Sequence, residues 1–553
     1  MKIIRSIFLI WVGVITPSWG RDASPDVPLS HPVYEVVARF AARGWMDAPQ
    51  TRPWSRQEVA RLLYAMATHL SDVSSTEQGI FNRHCVEFAE ELRALGYEVS
   101  EQRKFLQGGP LWSWRDSVAL VVVMPLLRQG LVAPRGNALV RETVSQTYVG
   151  GIVEGHYAGL GFRVRHFEAR EWTTGVRLKR GDVLAHPVED VQLKNDAADF
   201  REGVFQLVWG NAWFAIDAGK GVVDWGPGRT GNLLLSNRGP SYGLYRLRIS
   251  HGPVRYTHLA GALHARPGLI DTTRRWIDNG HVRIFLRQKR LAAHRLEVDL
   301  ARGLTLGLHE SVIYGDRGFE PLYTLPVTPF SAVQNHLDNK DNLAMGADVS
   351  FRPGGGFEAY GAWFFDDLMK FSPGAFSNKF ALQLGVFWVD PLGLSDTDLN
   401  AEYVRIEPFV YSHDYHVNTY ENYDVLLGHG IGPNADLWHV KVVHRVSPVL
   451  QVFAMFKKER QGENVVHVDG SIQNVGGNAE LGRRPFDLPI RNFMSGDVES
   501  RTRLGAGFVL EPRINWALRA GYERVAGKNV LLPMGRGQAG GHVWTATMDV
   551  YFY

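Results

Sequence analysis

The C-terminal half of this 553-residue chain repeats one hairpin pattern. In residues 295–300, leucine and valine alternate with charged residues, and the alternation resumes in residues 304–309 after a turn at 301–303. Such a period of two predicts β-strands with one apolar face and one polar face. The same hairpin pattern recurs around residues 352–354, 447–448 and 511–513.

The turns inside these hairpins are short, whereas the segments between hairpins are long and polar, as in residues 315–342 and 457–502. Short turns at one end and long loops at the other are typical of an outer-membrane β-barrel. A large soluble all-β protein would show the same alternation but has less reason for this asymmetry. We therefore expect a mainly β fold, with residues 106–553 forming a large antiparallel transmembrane β-barrel of about 18 strands.

The composition agrees with a barrel and excludes other classes. Apolar residues make up 45% of the chain, which is too few for a helical membrane protein, and the formal net charge of +3 is too small to indicate a nucleic-acid partner. The 58 glycines and 16 tryptophans fit tight turns and the aromatic girdles of a barrel in contact with outer-membrane lipid.

The first 20 residues have the pattern of a secretory signal peptide. Lys2 and Arg5 precede an apolar run at residues 7–15, and the small residue Gly20 suits cleavage. The apolar run is too short to span a bilayer. We expect export and localisation in the outer membrane, with the barrel-insertion machinery recognising the aromatic C-terminal strand that ends near Phe552.

Residues 21–105 are expected to form an N-terminal periplasmic helical domain. Pro32 begins a helical pattern that ends at Gly44, and capping boxes at Ser55 and Ser75 begin two more helices. Cys85 lies on the apolar face of the third helix, which predicts a buried packing residue. Three short helices bury little area by themselves, so we expect them to dock on the periplasmic end of the barrel.

One segment carries a family resemblance. The sequence WGPGRTGNLLLSN at residues 225–237 resembles the hallmark of the Wzi-type capsule assembly family. Similar segments are YEVV at 34–37 and TRPWSR at 51–56, and a less specific match spans 423–433 with LGH and IGP. Together these matches extend over nearly all of the chain that follows the signal peptide.

The resemblance implies a monomeric outer-membrane barrel of about 18 strands with a periplasmic helical bundle. It also implies a lectin-like, non-catalytic role in the assembly or surface attachment of capsular or other exported polysaccharide, with no cofactor and no metal. The candidate polysaccharide-binding residues are those of the motif and of the third match: Trp225, Arg229, Asn232, Ser236, Asn237 and His429.

Two other functions remain open from the residues alone. A barrel of this strand number can leave an aqueous lumen and serve as a diffusion channel or solute transporter, whereas a lumen plugged by loops and large side chains would favour the assembly factor. A polysaccharide hydrolase needs two carboxylates across a sugar cleft. The pair Asp366 and Asp367 suits this poorly, because neighbours on a strand point to opposite faces.

Three further patterns have plainer interpretations. Residues 226–231 match G-x-G-x-x-G, but the following LLLSNRGP cannot form a long helix, so a structured turn or lumen loop is favoured over a dinucleotide site. His413 and His416 lack a second paired motif that would complete a metal site. A salt-bridge network in the lumen is expected to include Arg283, Arg287, Arg290, Arg295 and Glu297, with a basic track for an acidic polysaccharide as the alternative.

Overall fold

The structure is a computed structural model of the chain. It describes residues 23–99, 110–116, 118–136, 143–173, 191–194, 196–338, 340–368, 378–488, 492–532 and 535–551. The expected signal peptide at residues 1–20 lies outside these ranges.

Within residues 23–99, four α-helices follow one another: α1 (Val33–Ala42), α2 (Arg56–Met66), α3 (Ser75–Glu87) and α4 (Ala89–Ala94). A 3-10 helix, Ala67–Asp72, continues α2. The Ser55 hydroxyl caps α2 by accepting a hydrogen bond from the Glu58 N–H at 3.1 Å. The cap of α3 is Ser74, one residue earlier than the capping box at Ser75 predicts, since its hydroxyl accepts from the Glu77 N–H at 3.1 Å.

The four helices share one apolar core. Cys85 is 2% exposed within it, and burial raises the pKa of its thiol to about 12. The prediction of a buried packing residue is confirmed. The other core residues include Val33, Val37, Phe40, Trp54, Val59, Leu63, Phe81, Phe88 and Leu92.

Within the described ranges, eighteen strands close into one antiparallel barrel, which confirms the predicted fold class. The barrel strands are β1 (Ala119–Gly136), β2 (Val144–Tyr157), β3 (Leu160–Thr173), β4 (Ala197–Gly210), β5 (Phe214–Gly221), β6 (Tyr242–His251), β7 (Val254–His264), β8 (Gln288–Ala301), β9 (Leu304–Gly315), β10 (Asn342–Gly354), β11 (Phe357–Leu368), β12 (Asn378–Val389), β13 (Thr397–Ile406), β14 (Ala435–Ser447), β15 (Leu450–Glu463), β16 (Asp497–Arg513), β17 (Trp516–Leu532) and β18 (Gly535–Val550).

The first and last strands close the barrel. β18 pairs with β1 from Val550 opposite Leu127 to Gly541 opposite Gly136. A short strand, Trp112–Arg115, pairs with the remaining part of β1. Residues 120–123 and 127–136 of β1 therefore have partners on the side where the barrel closes.

The two ends of the barrel differ as the sequence predicts. Tight turns such as those between β8 and β9 and between β14 and β15 lie at one end, which we call the turn end. Long connections lie at the opposite end, the loop end. The long connections include residues 222–241, 265–287, 316–341, 407–434 and 464–496.

The alternation along the strands places apolar side chains outside and polar ones inside. Leu300 and Leu308 are exposed on the outer face, whereas Arg295 and Glu297 are fully buried on the lumen side. Arg295 Nη2 donates to Asp348 Oδ1 at 2.8 Å, which confirms the predicted lumen network for Arg295 and Glu297. The exposed outer belt includes Leu131, Val149, Phe205, Ile216, Leu308, Trp363, Leu384, Trp438, Val452, Leu504, Leu518 and Trp544.

The prediction of a place in the lumen network is wrong for three other arginines. Arg290 lies on the outer face, with its guanidinium carbon 5.1 Å from the Phe319 ring centroid. Arg283 and Arg287 belong to the 265–287 connection and not to a barrel strand.

The connection at residues 316–341 folds back over the outer face of the barrel. It contains two short helices, α5 (Pro321–Thr324) and α6 (Phe330–His336). The Phe330 ring stacks on His294 at 4.4 Å between ring centroids, and the Phe330 N–H donates to Glu310 at 3.0 Å. Polar groups on this part of the outer face are therefore covered by protein.

None of the helices in the described ranges has both the length and the apolar character needed to span a bilayer.

The helical region docks on the turn end of the barrel through an ionic cluster, which we call the docking cluster: Arg39, Arg43, Glu77, Asp390 and Asp398. Arg39 is 1% exposed and donates to Glu77 at 3.1 Å, to Asp390 at 3.0 Å and to Asp398. Arg43 Nη1 donates to Glu77 Oε1 at 2.7 Å. Buried charges of opposite sign thus join α1 and α3 to the β12–β13 turn.

The docking cluster predicts a loss of stability in acid. Burial alone would raise the pKa of Glu77, but the guanidinium groups of Arg43 and Arg39 outweigh it and lower the pKa to about 2. The contribution of Glu77 is therefore complete above its unfolded pKa near 4.5 and is lost as the pH falls through about 2. We expect it to be on the order of 3 kcal/mol.

The free energy of unfolding measured from pH 6 to pH 2 tests this expectation. Glu77→Gln cannot titrate, so it should be less stable than the wild type at pH 6 and approach it at the acid end. Parallel pH profiles for the two proteins would contradict a stabilising Glu77 carboxylate.

Candidate functional site

The loop at residues 222–241, which carries the WGPG motif, runs through the barrel lumen. It leaves β5 at the loop end, and its Asp224–Trp225 segment forms a two-stranded sheet with Thr51–Arg52 of the helical region. The Gly226 N–H donates to the Gln50 carbonyl at 3.0 Å. The motif therefore links the loop end of the barrel to the domain docked at the turn end.

Two positions of the motif require glycine, one for its backbone conformation and one for its packing. Gly226 has φ +131°, a backbone conformation that residues with a side chain rarely adopt. A Cβ at Gly228 would overlap the Gly231 carbonyl oxygen and the Gln383 side chain. The Gly228 N–H donates to Asn232 Oδ1 at 2.8 Å, which closes the turn. The structured-turn interpretation of residues 226–231 is thus confirmed.

Gly228→Ala tests this packing, with Gly239→Ala in the same loop as the matched control. We expect Gly228→Ala to lower the free energy of unfolding by about 1–3 kcal/mol, because the new methyl group overpacks a filled site. A Cβ at Gly239 would meet no atom within 4 Å, so the control should change little. Equal denaturant midpoints for the two variants would contradict the close approach at Gly228.

Glu402 of β13 holds the centre of the motif. Its carboxylate accepts hydrogen bonds from the Arg229 N–H at 2.8 Å, from the Thr230 N–H at 3.2 Å and from the Thr230 hydroxyl. The Tyr360 hydroxyl donates to the same carboxylate at 2.6 Å. Charge-assisted bonds of this kind are stronger than neutral ones, so the loop is fixed to the barrel wall.

Arg229 connects three parts of the molecule. Nη1 donates to Glu35 of α1 at 3.2 Å, and Nη2 donates to Glu358 of β11 at 3.4 Å. The guanidinium carbon lies 3.6 Å from the ring centroid of Phe387 in β12. The side chain therefore ties the loop to both the helical region and the barrel wall.

The loop at residues 407–434 also enters the lumen and packs against the motif. The Tyr411 hydroxyl donates to the Leu233 carbonyl at 2.7 Å, and the Ser236 hydroxyl donates to the Gly428 carbonyl at 2.8 Å. His429 Nε2 lies 3.0 Å from the Thr230 hydroxyl oxygen. We call residues 222–241 and 407–434 together the plug.

An apolar core holds the plug together, although alternation alone predicts a polar lumen. The run at residues 233–235 supplies three buried leucines, which pack against aromatic residues of the second loop. The remaining members include Val223, Trp225, Phe364, Val410, Tyr411, Tyr420 and Leu427.

The structure places the six candidate residues in two settings. Trp225, Asn232, Ser236 and His429 are buried inside the plug. Arg229 and Asn237 are half-buried and line a cavity of 820 Å³ between the plug, the helical region and the wall from β14 to β17. This volume lies within the range of about 300–1,000 Å³ that is common for ligand pockets.

Cationic side chains outnumber carboxylates around this cavity. The carboxylates are Glu35, Asp224, Asp398, Glu511 and Glu523. The cations are Arg52, Arg83, Arg229, Arg238, Lys441, Arg445, Lys457 and Arg519. The lining suits a ligand with acidic or hydroxyl groups, because guanidinium and ammonium groups donate hydrogen bonds to both.

Neither of the other sequence-predicted constellations assembles. Within the described ranges, His413 and His416 belong to no cluster of three potential metal ligands, and His413 Nδ1 accepts a hydrogen bond from the Tyr415 N–H at 3.1 Å. Asp366 accepts a hydrogen bond from the Tyr411 N–H at 2.9 Å and thereby holds the second plug loop. The sequence does not mark Glu402 and Tyr360 as functional residues, because many other polar residues occupy inward positions on the same strands.

The comparisons with known proteins agree with this architecture. Wzi of Escherichia coli, an outer membrane protein involved in group 1 capsule assembly and a carbohydrate-binding β-barrel, aligns with a TM-score of 0.55 at 12% identity. The alignment covers 96% of this chain and 99% of that chain. Pseudomonas aeruginosa OprD gives a TM-score of 0.42 at 10% identity over 78% of this chain and 95% of that chain.

Acinetobacter baumannii OccAB4 gives a TM-score of 0.40 at 10% identity over 79% of this chain and 98% of that chain. No curated protein matches the sequence. The family model for the capsule assembly protein Wzi matches residues 152–533, which is more than half of the chain. The protein therefore belongs to the Wzi capsule assembly family.

Proposed function

We propose that this protein is a non-catalytic outer-membrane lectin that assists the assembly or surface attachment of a capsular or other exported polysaccharide. The observation that carries the proposal is the plug, whose apolar core occupies the lumen. A diffusion channel depends on a continuous aqueous lumen, so the plug argues against that alternative. Family membership supports the capsule role, and the carbohydrate binding described for Wzi of Escherichia coli supports the lectin role.

The proposed arrangement in the cell follows from the asymmetry of the barrel. Residues 1–20 would be the signal peptide, residues 21–105 the periplasmic domain and residues 106–553 the barrel. The turn end then faces the periplasm and the loop end the exterior, as is usual for bacterial barrels. The exposed apolar belt supports contact with outer-membrane lipid. Delivery by the insertion machinery, which the aromatic C-terminal strand favours, and a monomeric state, which the family resemblance implies, are further parts of the proposal.

We assign different roles to the six candidate residues. Arg229 and Asn237 would contact the polysaccharide, because they line the 820 Å³ cavity. The buried residues Trp225, Asn232, Ser236 and His429 would hold those two side chains in place through the plug.

Asn237→Ala tests the proposed contact while sparing the Glu402 and Tyr411 bonds of the plug. We expect binding of the cell's own purified polysaccharide to weaken about threefold to tenfold, which corresponds to one lost hydrogen bond. Gly239→Ala is the control, since it lies two residues away in the same loop. Equal affinity for wild type and Asn237→Ala would remove Asn237 from the site.

The ratio of cell-bound to shed polysaccharide tests the function in the cell. We expect a strain lacking this protein to shift towards shed material and the wild-type gene to restore the ratio. An unchanged ratio in the deletion strain, with unchanged total polysaccharide, would contradict a role in attachment.

A further inference from the structure

Three side chains of the helical region converge at the border of the 820 Å³ cavity, and the proposed polysaccharide site gives none of them a role. His31 lies just before α1, whereas His84 and Glu87 lie one turn apart on α3. One potential ligand atom from each residue lies within 4.8 Å of the other two. His31 Nε2 is 2.9 Å from Glu87 Oε1, and His84 Nδ1 is 3.6 Å from Glu87 Oε2.

We propose that His31, His84 and Glu87 form a binding site for a divalent transition-metal ion, with Zn²⁺ as the expected ion. Two imidazoles and one carboxylate are a donor set that zinc accepts, and three protein ligands leave a fourth position for water. Neighbouring ligands of a tetrahedral zinc ion lie about 3.3 Å apart. The two imidazoles lie 2.9 Å and 3.6 Å from the two oxygens of Glu87, and all three ligand atoms lie within 4.8 Å of one another, so rotation of these side chains has to draw them together around the ion.

Two cavities give an ion access to the site, and the Glu87 carboxylate can balance part of the charge of the ion. His31 and His84 line the 820 Å³ cavity, and His31 and Glu87 line a second cavity of 390 Å³. The Arg56 guanidinium pairs with Glu91 at 2.6 Å and donates to the main-chain carbonyl of Glu87 at 3.0 Å, rather than to the Glu87 carboxylate. The Glu87 carboxylate therefore faces the two imidazoles.

A hydrogen bond from Val33 to His31 is expected to limit the affinity of the site for the ion. The Val33 N–H donates to His31 Nδ1 at 3.1 Å, so the His31 proton lies on Nε2. An ion at Nε2 moves that proton to Nδ1 and breaks the Val33 contact. We therefore expect moderate affinity, and we expect the Val33 amide to exchange its hydrogen faster in the zinc-bound protein.

A bound ion would join the chain before α1 to α3. A region of this size buries little apolar area and gains much from a metal that fixes distant segments. The site is thus expected to strengthen the same helical region that the docking cluster holds against the barrel.

The test uses the full, untagged chain purified in detergent and stripped with a chelator. Equilibrium dialysis against ZnCl₂ should give one ion per chain, and Co²⁺ should give the visible absorption of a four-coordinate site. His84→Gln and Glu87→Gln should each weaken zinc binding about tenfold or more. His69→Gln, from the 3-10 helix of the same region, is the matched control and should bind like the wild type.

Two results would overturn the proposal: less than one zinc ion per wild-type chain, or equal zinc affinity in the wild type, His84→Gln and Glu87→Gln. The thermal midpoints of the stripped proteins are measured alongside. A variant that has unfolded is replaced by Glu87→Asp, which keeps the carboxylate, shortens its reach and should also bind zinc more weakly.

Discussion

Replacing Arg39 with methionine is expected to lower the free energy of unfolding by about 3 kcal/mol and to release the helical region from the barrel. The substitution keeps the apolar stem but leaves Glu77, Asp390 and Asp398 without their shared cation. Removing one partner of a buried ion pair costs roughly 3–5 kcal/mol. We expect the lower end of that range, because Arg43 stays with Glu77 and Arg445 stays with Asp398 at 2.7 Å.

Denaturant midpoints and the rate of chymotrypsin cleavage within residues 23–99 measure this effect. The control is Arg93→Met, which removes an exposed arginine that pairs with Glu90 at 2.6 Å on the surface of α4. Exposed pairs contribute roughly 0–1 kcal/mol, so the control should be cleaved like the wild type. If Arg39→Met were also cleaved at the wild-type rate, the docking cluster would not be what holds the region in place.

Deleting residues 222–241 is expected to turn a closed barrel into a conducting one. Gly221 and Tyr242 are direct cross-strand partners, so a two-residue Asn-Gly turn can join β5 to β6 without breaking their pairing. The deletion removes the three leucines at residues 233–235 and hydrogen bonds between the two plug loops, whereas the second loop keeps its bond to Asp366 of the barrel wall. Barrels with about 16–18 strands leave an aqueous channel when nothing fills them.

Conductance in planar bilayers and sugar uptake by liposomes measure the opening. Wild-type protein should show little of either, and the deletion should raise both well above the wild-type level. The control shortens the hairpin formed by Val465–Val466 and Ile472–Gln473, which lies outside the plug. A correctly folded deletion variant that stays closed, or a wild type that already conducts, would show that the 222–241 loop does not seal the lumen.

Local sequence patterns predicted the fold because the strands and helices obey local rules. The inward and outward sides of β8 and β9 follow directly from alternation, and the caps of α2 and α3 lie within one residue of their predicted positions. Docking at the turn end was expected because the helices bury little area alone. The beginning and the end of each helix and strand are set by residues close by in the chain, and these can be read from a single sequence.

The contacts of the site could not be read in the same way. Arg229 pairs with Glu35, which lies 194 residues away, and with Glu402 through its backbone. Each partner occupies an ordinary polar position, so nothing in its neighbourhood marks it. His31 likewise lies 53 positions before His84, and the i, i+3 pair of His84 and Glu87 is the only local sign of the proposed metal site.

The docking cluster indicates the order in which the helical region and the barrel fold. Arg39 lies in α1, ahead of every barrel strand in the chain, and its partner Asp398 lies 359 positions later, at the start of β13. Contacts of such long separation form slowly, because the intervening chain must first be arranged. The helical region therefore reaches its final position only after β12 and β13 have formed, so it depends on its own apolar core while the barrel assembles.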